Sequence, residues 1–327
     1  MYDISELKRC ISDLYEKHRG NNQGDVASYI PELGKADPDL FGISLVTVDG
    51  QEFSVGDYQH EFTIQSIIKP IAFLLALEMH GRDKTLAHVG VEPSGDAFNS
   101  VELNPRTRLP YNPMVNAGAI SVASLIKGAS PEAGVSALLD RLGIAAGRDL
   151  RIDEHVRDSE ATTGSRNRAI AYLLHNFGVI DDGIDHTLHQ YFSQCSVLVN
   201  CRDLAMIAAT IANIGENPAT GREAFALTYV RDAMAAMFSC GMYDYSGEWA
   251  YRVGVPAKSG VAGGLMAVIN RQLGIAVFSP RLDERGNSVR GIAVCTDLAE
   301  EFGLHAFEFM NPGSNFLRDA PPTEAAG

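Results

Sequence analysis

The apolar and polar positions divide the chain into an α/β beginning, a helical middle and an α/β end. Over residues 2–18, Ile4, Leu7, Ile11, Leu14 and Tyr15 recur at spacings of three and four, which predicts an amphipathic helix with one core-facing stripe. Phe41 to Val48 reads as a strand, and Asp49-Gly50 is a strong turn signal leading into a second strand around Gln51–Gly56. From Ser66 to about Met79 the pattern predicts a long buried helix, and from Ala117 to about Asn213 further helical runs broken by glycine-rich turns. Extended stretches are expected near Ala250–Val253, Leu265–Ile269 and Ile275–Phe278, followed by an apolar helix from about Ser288 to Phe307.

A lone hairpin cannot make a stable sheet, so the first two strands are expected to pair with the last ones, leaving the helical middle as an insertion. That places an α/β (α+β) lobe at residues 1–75 and 225–315, an all-helical lobe at 76–224 and a flexible tail rich in Pro, Ala and Glu at 316–327. The cleft between the lobes is the natural place for a site.

Composition narrows the partners. The chain has 327 residues, 46% of them hydrophobic, enough to bury a core for two closely packed lobes. A formal net charge of −14 repels phosphate backbones and anionic lipid, which argues against nucleic-acid and membrane partners. The longest apolar stretch, Pro70–Leu77, is cut by Glu78 and is too short to span a bilayer. No basic-then-apolar leader opens the sequence, so a cytoplasmic location is expected. Five cysteines without Cys-x-x-Cys spacing read as buried thiols, not as a disulfide framework or a zinc site. His186-x-x-His189 has helical metal-ligand spacing but no evident third ligand, and is read as surface or packing.

The chemistry concentrates at Ser66-Ile-Ile-Lys69. The same Ser-x-x-Lys spacing occurs at Ser5–Lys8 and Ser124–Lys127, so context must choose among them. Pro70 cannot donate the backbone bond that a helix would send to Ser66, which places Ser66 in the first turn. There its hydroxyl meets Lys69 on one face, and free backbone N–H groups favour a developing oxyanion. Apolar neighbours on both sides desolvate Lys69 and supply the neutral amine a base needs. Lys8 belongs to a polar helix face, and Lys127 caps a helix end before Gly128. Downstream, Lys258-Ser259-Gly260-Val261-Ala-Gly-Gly offers small residues and backbone donors that can approach a substrate. Ser-x-x-Lys with Lys-Ser-Gly is the pairing of penicillin-recognising enzymes, although their Ser-Asp-Asn element is absent here.

Further blocks accompany these: Tyr29-Ile-Pro-Glu-Leu, Asn112-Pro-Met-Val-Asn116-Ala-Gly, Ser159-Glu160 with Arg166-Asn167, Tyr191-Phe-Ser-Gln-Cys195, and Cys240-Gly-Met-Tyr243-Asp. Together they closely resemble the serine-dependent glutaminase family from about residue 20 to 310, in its bacterial-type catalytic core. The resemblance implies a β-lactamase/transpeptidase-like fold, an antiparallel sheet flanked by helices with an inserted all-helical lobe. It implies hydrolysis of L-glutamine to L-glutamate and ammonia without a cofactor or metal, and a homo-oligomer, dimer or tetramer.

By the same resemblance Ser66 is the expected nucleophile, Lys69 its general base, and Tyr243 a proton carrier to departing ammonia. Backbone N–H groups of Ser66 and Val261 form the expected oxyanion hole. Asn116, Glu160, Asn167 and Tyr191 are expected to hold the amino-acid end, with Glu160 facing the α-ammonium, and Tyr29 to line the pocket. Gly90–Gly95 with Phe98-Asn99 resembles a mobile loop near the family's active site. A β-lactamase or transpeptidase relative, labelled by penicillin, and a non-catalytic glutamine-binding sensor are the competing readings.

Overall fold

The computed structural model of the chain describes residues 4–95 and 99–308. The tail at 316–327 and Phe98 of the 90–99 loop lie outside the described residues. The chain opens with α1 (Ile4–His18), then the hairpin β1 (Gly42–Thr47) and β2 (Glu52–Gly56), a short β3 (Phe62–Thr63) and α2 (Lys69–Leu86). The middle holds α3 (Asn116–Ile126), α4 (Pro131–Ala146), β4 (Arg151–Ile152), α5 (Glu154–Thr163), α6 (Ser165–Asn176), α7 (Ile184–Cys195) and β5 (Val197–Val199). Then come α8 (Cys201–Ala212), α9 (Leu227–Cys240), α10 (Ser246–Arg252), β6 (Ala257–Ser259), β7 (Gly264–Ile269), β8 (Leu273–Phe278) and α11 (Val289–Phe302). The result is a mixed α/β protein with eleven α-helices among the described residues.

The main sheet runs β2-β1-β8-β7-β6, with each of its neighbouring pairs antiparallel. As the hairpin argument required, β1 pairs with β8, from Gly42 opposite Phe278 to Thr47 opposite Leu273. Strands β7 and β8 are buried along their whole length because both faces are covered. Leu265, Ala267, Ile275 and Val277 join Ile11, Trp249, Val294 and Leu298 on the side of α1, α10 and α11. Met266, Val268, Ala276 and Phe278 face Leu204, Ala205 and Ala208 of α8 on the other. Each large apolar side chain buried there contributes about 1.5–3 kcal/mol. Gly274 lets α8 approach: a Cβ at this position would lie 2.3 Å from the Ala209 nitrogen and 2.4 Å from the Ala205 carbonyl oxygen. Helix α8 starts where it does because Asn200 and Asp203 form a reciprocal capping box.

Three expectations change. Ala250–Val253 is not extended, since Ala250–Arg252 closes α10; Trp249 and Val253, four residues apart, share the core as helical spacing allows. The last helix ends at Phe302, not Phe307, because Gly303 (φ 58°) adopts the left-handed conformation and its N–H returns to the Ala299 carbonyl. Ser66 lies in a 3-10 turn, Gln65–Ile68, just before α2, where the Lys69 N–H reaches the Ser66 carbonyl in place of the bond Pro70 cannot give. A second small sheet, β3-β5-β4, was not expected. No described helix is long and apolar enough to cross a membrane.

Candidate active site

The β3–β5 pairing anchors the turn that carries Ser66: Phe62 and Thr63 lie opposite Val199 and Leu198, and the Ile64 N–H donates to the Val197 carbonyl at 2.8 Å. The backbone then turns sharply at Gln65, whose φ of 48° is left-handed and costs a non-glycine residue about 1–3 kcal/mol. Gln65 is buried and its amide donates to Thr63 Oγ1 at 3.2 Å. That turn delivers Ser66, also buried. Across from it, β6 and the following loop press close because Gly260 has no side chain: a Cβ there would lie 3.0 Å from the Ile64 carbonyl oxygen and 3.1 Å from Ile67 Cγ1. Neither the Ser66 nor the Val261 backbone N–H donates to another described backbone group.

Lys69 is 1% exposed. Its Nζ donates to the Met114 carbonyl at 3.0 Å and to Asn116 Oδ1 at 2.8 Å. Burial lowers its pKa to about 8, while the neighbouring Cys195 and Glu160 pull the other way. Asn116, the first residue of α3, passes the network on by donating from Nδ2 to Asn167 Oδ1 at 3.0 Å. Glu160 on α5 is buried and pushed up to about 8, against the opposing pull of Lys69. One of its carboxylate oxygens, Oε2, has no hydrogen-bond partner, a costly state for a buried group unless something else fills it.

Tyr243 also has a left-handed backbone, φ 58°. Its hydroxyl donates to the Ser259 carbonyl at 3.0 Å and is hydrogen-bonded with Ser66. Burial raises its pKa. The fully buried Lys258 lies with Nζ 4.1 Å from the centre of the Tyr243 ring and donates to the same Ser259 carbonyl at 2.7 Å. Its pKa is driven well down by burial and then by Lys69.

Tyr29, Ser66, Asn116, Glu160, Asn167 and Tyr191 line one cavity of about 290 Å³. Lys69 holds its Asn116 wall from behind. Tyr243 and Val261 do not line that cavity; they pack together beside it, and Tyr243 lines a neighbouring cavity of about 300 Å³. Tyr29 is half exposed, whereas Tyr191 is buried and hydrogen-bonded to Cys195. His186 donates through Nε2 to the Lys127 carbonyl at 2.9 Å, a packing role. Sequence reasoning passed over Gln65, Lys258 and Cys195 as site residues. Lys258 stood in the quoted motif, and Cys195 lies four residues after Tyr191, the spacing of helix neighbours; nothing in the sequence marked Gln65.

A buried serine turn, a buried lysine and a polar cavity lie together, an arrangement suited to a hydrolase. The model of the family described as Glutaminase matches residues 24–307. Curated glutaminases of Nostoc sp. strain PCC 7120 and Trichormus variabilis are 55% and 56% identical, over 95% and 93% of this chain and 93% and 91% of theirs. A solved structure described as the probable glutaminase YbaS superposes with a TM-score of 0.89 at 37% identity, covering 94% of this chain and all (100%) of the other. Another, Mglu in its glutamate form, gives 0.87 at 40% identity over 93% and 70%. The chain belongs to the glutaminase family.

Proposed function

We propose that the protein hydrolyses L-glutamine to L-glutamate and ammonia through a γ-glutamyl ester on Ser66, with Lys69 as general base. The hydrogen bonding of Lys69 carries this reading. A neutral amine has two N–H donors and one lone pair; Met114 O and Asn116 Oδ1 occupy two donors, which leaves the lone pair for the Ser66 proton. Burial brings the neutral form within reach just above neutral pH.

Ser66 Oγ attacks the side-chain amide carbon as its proton passes to Lys69, and the Ser66 and Val261 N–H groups hold the oxyanion. The C–N bond breaks as Tyr243 gives its hydroxyl proton to the departing nitrogen. Water then attacks the ester, returning a proton to Tyr243, and Ser66 recovers its own from Lys69. Glu160 Oε2, unpartnered in the cavity, faces the α-ammonium, and Asn116, Asn167, Tyr191 and Tyr29 complete the amino-acid site. No cofactor or metal enters this scheme.

The same proposal includes a β-lactamase-like fold with lobes at 1–75 plus 225–315 and at 76–224, a homo-oligomeric state (dimer or tetramer) and a cytoplasmic location. Neither the penicillin-recognising nor the sensor reading gains a specific observation from the site. Glutamate release from glutamine by the purified protein, followed by rapid-quench mass spectrometry of Ser66, tests the function: the expected result is turnover with a γ-glutamyl adduct. Absence of turnover would sink the activity, and full turnover by a Ser66→Ala variant would sink the nucleophile.

A further inference from the structure

Two cavities flank Tyr243 and Ser66, and only one belongs to the amino-acid end of the substrate. The other, about 300 Å³, has buried Met114, Cys240 and Tyr243 among its walls and reaches exposed Asp244 and Gly247. Its inner wall touches the chemistry at two points. The Met114 carbonyl accepts from Lys69 Nζ, and the Tyr243 hydroxyl is hydrogen-bonded with Ser66.

Resting on the Ser66 ester reading, we propose that this second cavity is the passage for the small reactants: ammonia leaves through it and the hydrolytic water enters by it. During the ester stage the glutamyl chain fills the cavity that ends at Glu160, so that side is closed. The nitrogen that takes a proton from Tyr243 departs on the Tyr243 side. Deacylation replaces ammonia by water at the same carbon, so by microscopic reversibility water attacks from where ammonia left. Water has a volume of ~30 Å³ in the liquid, so the cavity has room for several molecules.

Gly247 permits a direct test, because a Cβ there meets nothing within 4 Å and its φ is not positive. A Gly247→Leu side chain can therefore occupy the passage without a backbone clash. In rapid-quench mass spectrometry after glutamine is exhausted, decay of the γ-glutamyl ester should slow roughly tenfold in Gly247→Leu, with kcat and KM falling together. Gly247→Ala should stay within about twofold of the parent protein. Ester decay at the parental rate in a folded Gly247→Leu protein overturns the passage while leaving the nucleophile intact. Should Gly247→Leu not fold, Asp244→Trp closes the same end and is read the same way. If no ester forms in any protein and Ser66→Ala remains active, the nucleophile reading fails first and the passage with it.

Discussion

Two four-residue stretches with the same Ser-x-x-Lys spacing sit at opposite ends of neighbouring helices and have different chemistry. Ser66 and Lys69 lie at the entry to α2; Ser124 and Lys127 lie at the exit of α3. At the exit, Ser124 donates to the Ser121 carbonyl at 2.7 Å, and Lys127 pairs with the Asp181 carboxylate, which it holds below the usual carboxylate range. That lysine is the C-cap residue of α3, where the helix dipole favours a cation. At the entry, Lys69 forms no ion pair among the described residues and is buried, so its amine is free to lose its proton. Spacing brings a hydroxyl and an amine to one face; burial and the helix end decide whether the amine acts as a base.

The largest test of that difference is Ser66→Ala, expected to lower kcat roughly ten-thousand-fold or more, while Ser124→Ala leaves it within about twofold. Lys69→Arg should follow with a loss of about 10²–10⁴-fold, because a guanidinium cannot accept the proton. In the proposed mechanism activity depends on the unprotonated amine and on ionised Glu160, so kcat/KM should rise with pH through about 8, the value both groups approach. A flat profile between pH 6 and 9 would contradict both assignments.

Glu160→Gln should raise KM for glutamine about a hundredfold, the scale for removing one partner of a buried charge pair. The same change should affect stability with a definite sign. The folded pKa of Glu160 is raised from 4.5 to about 8, so between those values the folded protein binds more protons and its stability falls as pH rises. Glu160→Gln removes that loss, so calorimetry should show the variant gaining Tm relative to the parent at pH 8 compared with pH 5. The smallest effect belongs to the other stretch: Lys127→Ala removes a partly exposed ion pair and should cost no more than about 1 kcal/mol by urea unfolding, with activity unchanged.

Much of the fold was legible because its signals are long or punctuated. Asp49-Gly50 marked the hairpin, and the apolar runs of β7 and β8, set off by Gly and Asn turns, read as extended. The β3-β5-β4 sheet was not legible, since strands of two and three residues show no period. Ala250–Val253 misled because a short aromatic, β-branched stretch fits either period until the partner of Trp249 is known. Within the site, Tyr29, Ser66, Asn116, Glu160, Asn167 and Tyr191 were read from the sequence, whereas Gln65, Thr163 and Gly164 of the same cavity were not. Gln65 and Tyr243 adopt left-handed φ, and neither side chain announces it. Nor could the sequence show that Tyr243 borders a different cavity from Glu160.

The pairing of β1 with β8 has a consequence for how the chain is made. The first hairpin leaves the ribosome with one ladder edge unsatisfied, and Thr47 meets its partner Leu273 only after the whole helical middle has been synthesised. At ~5–20 residues per second that interval lasts roughly 10 to 50 s. Throughout it the buried strand β1 presents apolar side chains and open backbone groups to any neighbouring nascent chain. Yield of soluble protein should therefore be governed by the crowding of polysomes and the supply of chaperones more than by the stability of the finished molecule.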